Sequence, residues 1–190
     1  MNVPNKLTIS RLLLTGAFVI VMSVSFPFSK TLALVLFSAA GLTDFFDGHI
    51  ARRDKLITNF GILMDPLADK ILTCSAFIIF VELGSIAAWM CTIIVARELS
   101  ITGLRLLAAS RNRILAAERF GKHKTISQIV TIIAILVGMA YPEWGKLGEL
   151  IFGCWAGYFI TVSIWLTILL TVISGTIYLW KNRDLYISDM

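Results

Sequence analysis

A chain of 190 residues that is 57% hydrophobic and only 15% charged, with a mean hydropathy of +0.83, has too little polar residue to coat a water-soluble globule. Soluble enzyme and binding-module classes are thereby excluded, and an integral membrane protein remains. The net charge of +5 raises nucleic acid as a partner, but the basic residues gather at the ends of apolar runs, where they write membrane topology instead.

In chain order, the basic start MNVPNKLTISR leads into an apolar run over Leu12–Phe28, a retained first span rather than a cleaved signal, ended by Pro27 and Lys30. Runs of about 20 apolar residues then predict span two over Thr31–Ala51, span three over Phe60–Val81, span four over Ile86–Ala108 and span five over Thr125–Tyr141. Span six, Ile151–Trp180, is longer than needed and is expected to tilt or protrude. The expected fold is all-α, with six transmembrane helices in a single membrane domain over 1–190. Alternating sides places Lys6, Arg11, Arg52, Arg53, Lys55, Arg111, Arg113, Arg119, Lys122, Lys124, Lys181 and Arg183 at one face, against Lys30 and Lys146 at the other. The positive-inside rule then makes both termini cytosolic, in the cell membrane. Trp89, Trp144 and Trp180 fall near predicted interfaces, whereas Trp155 and Trp165 do not. Cys74, Cys91 and Cys154 lie singly, without zinc or disulfide spacing, and read as reduced, buried thiols.

The stretch GLTDFFDGHIARRDKLITNFGILMDPLADKIL, Gly41–Leu72, breaks this apolar pattern with Asp44, Asp47, Asp65 and Asp69. A carboxylate in a bilayer costs on the order of 2.5–3.5 kcal/mol even on insertion scales, so four at ordered spacing mark a site. On a helix Asp44 and Asp47 are i and i+3, with Gly48 and Ala51 on the same face; Asp65 and Asp69 are i and i+4, with Gly61 a turn back. The short linker Arg52–Asn59 makes the two helices antiparallel neighbours. Converging carboxylates without His or Cys form an all-oxygen site, which selects hard divalent cations such as Mg2+ or Mn2+ and has room for two. Gly48, Ala51 and Gly61 leave clearance for substrate beside them. The bland alternative pairs Asp44, Asp47 and Asp69 with Arg52, Arg53 and Lys70 at the interface, and Pro66 merely kinks span three.

The pattern D-x2-D-G-x2-A-R-x8-G-x3-D-x3-D, matched without a gap from Asp44 to Asp69, resembles the signature of the CDP-alcohol phosphotransferases. That resemblance implies a six-helix, dimeric membrane enzyme in which an alcohol displaces CMP from a CDP-linked donor. It implies that Asp44, Asp47, Asp65 and Asp69 bind metal, and that Asp69 also deprotonates the acceptor hydroxyl. Gly48, Ala51 and Arg52, with Asp44 and Gly61, would sit against the donor.

Span four carries a second anomaly, VARELSITGLR, with Arg97 about halfway through the run and Arg105 two turns on, within about 80° on the helical wheel. With Lys122 they make an anion pocket for an acceptor bearing a phosphate; equally, Arg97 pairs with an aspartate or Glu98 while Arg105 and Lys122 snorkel to the interface. The segments NVPNKLTISR, VARE-x6-GLR and GKHKT are similar to those of phosphatidylglycerophosphate synthases within the larger family. This likeness implies CDP-diacylglycerol as donor and sn-glycerol 3-phosphate as acceptor. Arg97, Arg105 and Lys122 would hold the acceptor phosphate, and Asn5 and Thr8 would lie near the nucleotide.

Two rivals stand beside this reading. A family enzyme could take another acceptor: serine, inositol phosphate or a phospholipid. A cation or proton transporter would also use intramembrane aspartates, but it would be expected to repeat the acidic stretch in its second half, and nothing after Gly84 does so. His49 and His123 read as interfacial, and the basic stretch Arg111–Lys124 as a lure for anionic lipid.

Overall fold

The computed structural model describes the backbone of residues 3–54, 59–110 and 119–187, and within it the side chains of residues 8–43, 64, 67–109, 121 and 123–185. All regular structure among these residues is helical. Six long helices follow one another: α1 (Val3–Ser23), α2 (Ser29–Asp54), α3 (Asn59–Glu82), α4 (Ala88–Ser110), α5 (Arg119–Ala140) and α7 (Ala156–Lys181). Their 21 to 26 residues give each about 30–40 Å of length, at 1.5 Å per residue. A 3-10 turn (Tyr141–Trp144) and the short α6 (Lys146–Phe152) link α5 to α7, and α8 (Asp184–Ile187) closes the chain.

The polarity of α7 says what surrounds the bundle. Its inward face carries Ser163, Thr167, Thr171, Ser174 and Gly175 beside Ile168 and Tyr178, all buried, while Val162, Leu166, Leu169 and Val172 are exposed. That inversion suits a helix solvated by lipid: tails solvate leucine as well as a protein core does, and backbones approach closely over small residues. Thr131 of α5 donates to the Ser163 carbonyl at 3.0 Å and meets the Thr167 hydroxyl at 2.9 Å, a polar contact across the helix pair, while the Ser163 and Ser174 hydroxyls turn back to carbonyls of α7 itself. The segments His123–Trp144 and Ala156–Lys181 are long and apolar enough to cross a membrane, with shorter apolar stretches at Thr8–Ser23 and Ser29–Thr43.

Packing runs through aromatic and branched side chains. α1 lies against α2 and α3, α5 against α7 and α2, and α4 against α7 and α3. Phe18, Phe37, Phe77, Phe80, Ile135 and Leu136 form the main core. A smaller cluster, Ile101, Leu104, Ala108, Tyr178 and Leu185, joins the C-terminal ends of α4 and α7. At the other end of the bundle, both carboxylate oxygens of Glu143 reach the start of α2. They accept from the Lys30 N–H at 3.0 Å, the Thr31 N–H at 2.9 Å and the Thr31 hydroxyl at 2.6 Å. The Trp144 indole donates to the same hydroxyl at 2.9 Å. A carboxylate at a helix N-terminus meets both unsatisfied donors and the positive end of the dipole.

Several expected boundaries move. The first helix begins at Val3 and ends at Ser23, so Arg11, expected as an interfacial charge, lies inside the helix and is 1% exposed. The expected long span six is divided: α6 stops at Phe152, Gly153 to Trp155 turn, and α7 starts at Ala156. At the break itself glycine is required, because a Cβ added to Gly153 would lie 2.5 Å from the Glu149 carbonyl oxygen. The turn also exposes Cys154, which was expected to be buried, while Cys91 is buried and Cys74 half-buried, all as free thiols. With the helix start moved, Trp155 stands at the mouth of α7. It packs on Phe152 and Phe159 with ring centroids 5.6 and 5.7 Å away.

Candidate functional site

The acidic motif falls on two successive helices. Asp44 and Asp47 lie in the C-terminal half of α2, Asp65 and Asp69 in the N-terminal half of α3, and residues 55–58 join them. The side chains of Asn5, Asp44, Asp47, Gly48, Ala51, Arg52, Gly61, Asp65 and Lys122 lie outside the described residues, and no group of three potential metal ligands converges among those that are described. Asp69 is half-buried, and its carbonyl accepts from the Thr73 hydroxyl at 3.1 Å. Thr8 is fully buried on α1. The donor set of the motif, carboxylates alone, fits a hard divalent cation on chemical grounds.

Next along α3, Lys70 turns to α4, where its ammonium donates to the Thr102 hydroxyl; that hydroxyl in turn donates to the Glu98 carbonyl at 2.7 Å. The acidic helix is thus tied to the helix that carries the basic residues. On α4, Glu98 is the hub of a buried charge cluster. One of its oxygens receives the Lys124 ammonium, the Arg97 guanidinium at 3.4 Å and the Gln128 amide at 3.5 Å. Lys124 and Gln128, one turn apart on α5, are each 2% exposed and Glu98 is 7% exposed. A carboxylate so buried persists only because cations surround it. Lys124 was expected among the interfacial topology charges; helix α5 starts at Arg119, six residues before the expected Thr125, and this carries Lys124 into the bundle.

Arg97 and Arg105 both lie along the seam between α4 and α7. A Cβ on Gly175 would come within 3.1 Å of Arg97 Cγ, so glycine there gives the arginine stem its passage. One turn on, the Tyr178 hydroxyl accepts from Arg105 Nε at 3.3 Å, with the guanidinium carbon 5.8 Å from the ring centroid. Arg105 is exposed and Tyr178 buried. Glu98 was expected only as an alternative partner for Arg97, and that pairing is found at 3.4 Å; Lys124, Gly175 and Tyr178 were not among the expected site residues. Their sequence signal was faint: a second charge beside Arg97, a Lys/Gln pair at i, i+4, and a glycine and tyrosine at i, i+3 in a helix that carried no other mark. An apolar cavity of about 240 Å³ between α5 and α7, lined by Val130, Ile133, Ala134, Phe152 and Trp155, sits at the opposite end of α7 and has only apolar walls.

The described geometry is thus a bundle of long apolar helices in which an acidic motif is shared by α2 and α3 and a buried charge cluster on α4 and α5 is tied to α3 through Lys70. The chain belongs to the CDP-alcohol phosphatidyltransferase family, whose model matches residues 1–174. A protein of Bacillus subtilis (strain 168) named CDP-diacylglycerol--glycerol-3-phosphate 3-phosphatidyltransferase is 37% identical over 195 residues, covering 96% of each chain. A protein of the same name from Rickettsia bellii (strain RML369-C) is 32% identical over 177 residues, 93% of each chain. One from Salmonella typhimurium (strain LT2) is 33% identical over 141 residues, covering 71% of this chain and 76% of the relative.

Proposed function

We propose that this protein transfers the phosphatidyl group of CDP-diacylglycerol to sn-glycerol 3-phosphate, giving phosphatidylglycerophosphate and CMP. What carries the reading is the coverage of its relatives: proteins bearing that activity in their names match it at 32–37% identity over 93–96% of both chains. The placement of Arg97 and Arg105 along α4, the helix tied to acidic α3 through Lys70 and Thr102, supports a phosphate-bearing acceptor over a neutral one such as serine.

In this reading the six long helices span the cell membrane as a single domain over 1–190, both termini and the site face the cytosol, and the enzyme works as a homodimer. The donor's acyl chains stay in lipid, so the water-soluble acceptor enters from the cytosolic side. Asp44, Asp47, Asp65 and Asp69 would hold two divalent cations, Mg2+ or Mn2+. When bound, such ions offset the charge on a pyrophosphate and make an alcohol more acidic. Asn5, Thr8, Gly48, Ala51, Arg52 and Gly61 line the donor's head group. Arg97, Arg105 and Lys122 hold the acceptor phosphate and so aim its free hydroxyl at the phosphorus that bears diacylglycerol. Asp69 takes the hydroxyl proton as the new P–O bond forms; the pyrophosphate P–O bond breaks and CMP leaves with its electron pair.

The test is release of labelled CMP from CDP-diacylglycerol with glycerol 3-phosphate, serine or inositol phosphate as acceptor, with and without Mg2+ or Mn2+. Glycerol 3-phosphate alone should support turnover, and Arg105→Ala should raise its KM. Turnover with serine instead, or an unchanged KM, overturns the acceptor assignment.

A further inference from the structure

We infer that Tyr178, on the last long helix, is a positioning residue that fixes the Arg105 guanidinium for an anionic acceptor; this rests on the reading of Arg105 as a phosphate ligand. Arginine is a long, rotamer-rich side chain, and Arg105 is exposed, so without a second contact its fork would sample many directions. Tyr178 supplies that contact through its hydroxyl, which accepts from Nε at 3.3 Å, and through its ring, 5.8 Å from the guanidinium carbon. The atom engaged is Nε, which leaves the Nη1 and Nη2 edge of the fork to address a phosphate in the two-pronged manner.

Tyr178 is itself held on every side. It is 3% exposed, packed with Ile101, Leu104 and Leu185. One turn earlier, Gly175 lies against the Arg97 stem, so a single face of α7 meets both arginines of α4. A phenylalanine would fill the same space without the cost of burying a hydroxyl, and among the described residues that hydroxyl has Arg105 as its partner. The hydroxyl therefore serves the arginine, not the packing.

The experiment compares Tyr178→Phe, Arg105→Lys and the double variant of the full-length enzyme in mixed micelles, reading CMP release against each substrate concentration. Tyr178→Phe should raise KM for glycerol 3-phosphate about fivefold, the worth of one net hydrogen bond. Its kcat and its KM for CDP-diacylglycerol should stay within about twofold, the ring being retained. Arg105→Lys should raise the acceptor KM more, and adding Tyr178→Phe to it should change nothing further, because the tyrosine acts through the arginine. If Tyr178→Phe leaves the acceptor KM alone while Arg105→Lys raises it, or if the two effects multiply, the positioning role is wrong although Arg105 still binds acceptor. If Arg105→Lys has no effect on that KM, the acceptor reading fails and this inference falls with it.

Discussion

Replacing Glu98 by glutamine keeps the shape of the side chain and deletes one charge from the most buried charge cluster described. Lys124, 2% exposed, would then lose the carboxylate its ammonium touches while staying in the bundle, and Arg97 would lose its carboxylate at 3.4 Å. Breaking a buried pair by removing one partner costs about 3–5 kcal/mol, because the remaining charge is neither solvated nor compensated. Against a typical total stability of about 5–15 kcal/mol that is about a fifth or more. At about 2–4 °C per kcal/mol for a chain of this size, the unfolding midpoint should drop by roughly 6–20 °C. The assay is thermal unfolding of the detergent-solubilised protein, followed by circular dichroism, for wild type, Glu98→Gln, and Glu98→Gln combined with Lys124→Met. The double variant removes the stranded cation and should regain at least about half of the loss, since an apolar replacement of a buried pair is often neutral. A drop under about 2 °C for the single variant, or no recovery in the double, would refute the hub assignment.

Three further outcomes are expected. Asp69→Asn should cut CMP release at least about 100-fold, the smaller end of what a general base contributes, with unfolding unchanged; substantial turnover in the purified variant would remove the base role. Exhaustive chelation should stop CMP release, and Mg2+ or Mn2+ should restore it; activity that survives chelation would show that the acidic motif does not work through bound cations. Glu143→Ala should lower stability by about 1–2 kcal/mol, the worth of a helix N-terminal cap with its charge, read as a fall in the unfolding midpoint; coincident curves for variant and wild type would deny the cap its weight.

The helical class and the family were legible in the chain because both are written locally. Apolar runs of membrane length and a gap-free acidic signature need no knowledge of distant contacts. What escaped was whatever depends on partners far apart in sequence. Hydropathy reads Arg11 and Lys124 as charges beside apolar runs and sends them to the interface; it cannot know that Lys124 meets Glu98, 26 residues earlier, inside the bundle. The same blindness passed over α7. Its buried serines and threonines look like dilution of an apolar helix until α5 presents Thr131 to Ser163 and Thr167. The division of span six was hidden because Gly153, Cys154 and Trp155 are all compatible with an apolar run, and only the close approach of Gly153 to the Glu149 carbonyl shows where the helix is interrupted.

The clasp between Glu143 and the first turn of α2 reaches further than local stability. A helix of 26 residues behaves as a rod, on which a rotation of one residue is about 100° and a slip of one residue about 1.5 Å. Glu143 grips two successive backbone N–H groups at its start, so both the rotation and the height of the rod are set there. Positions 44 and 47 ride on the same rod about 20 Å away, at its other end. The short connection between α5 and α6 thus sets the rotation and height of the helix that carries half of the acidic motif.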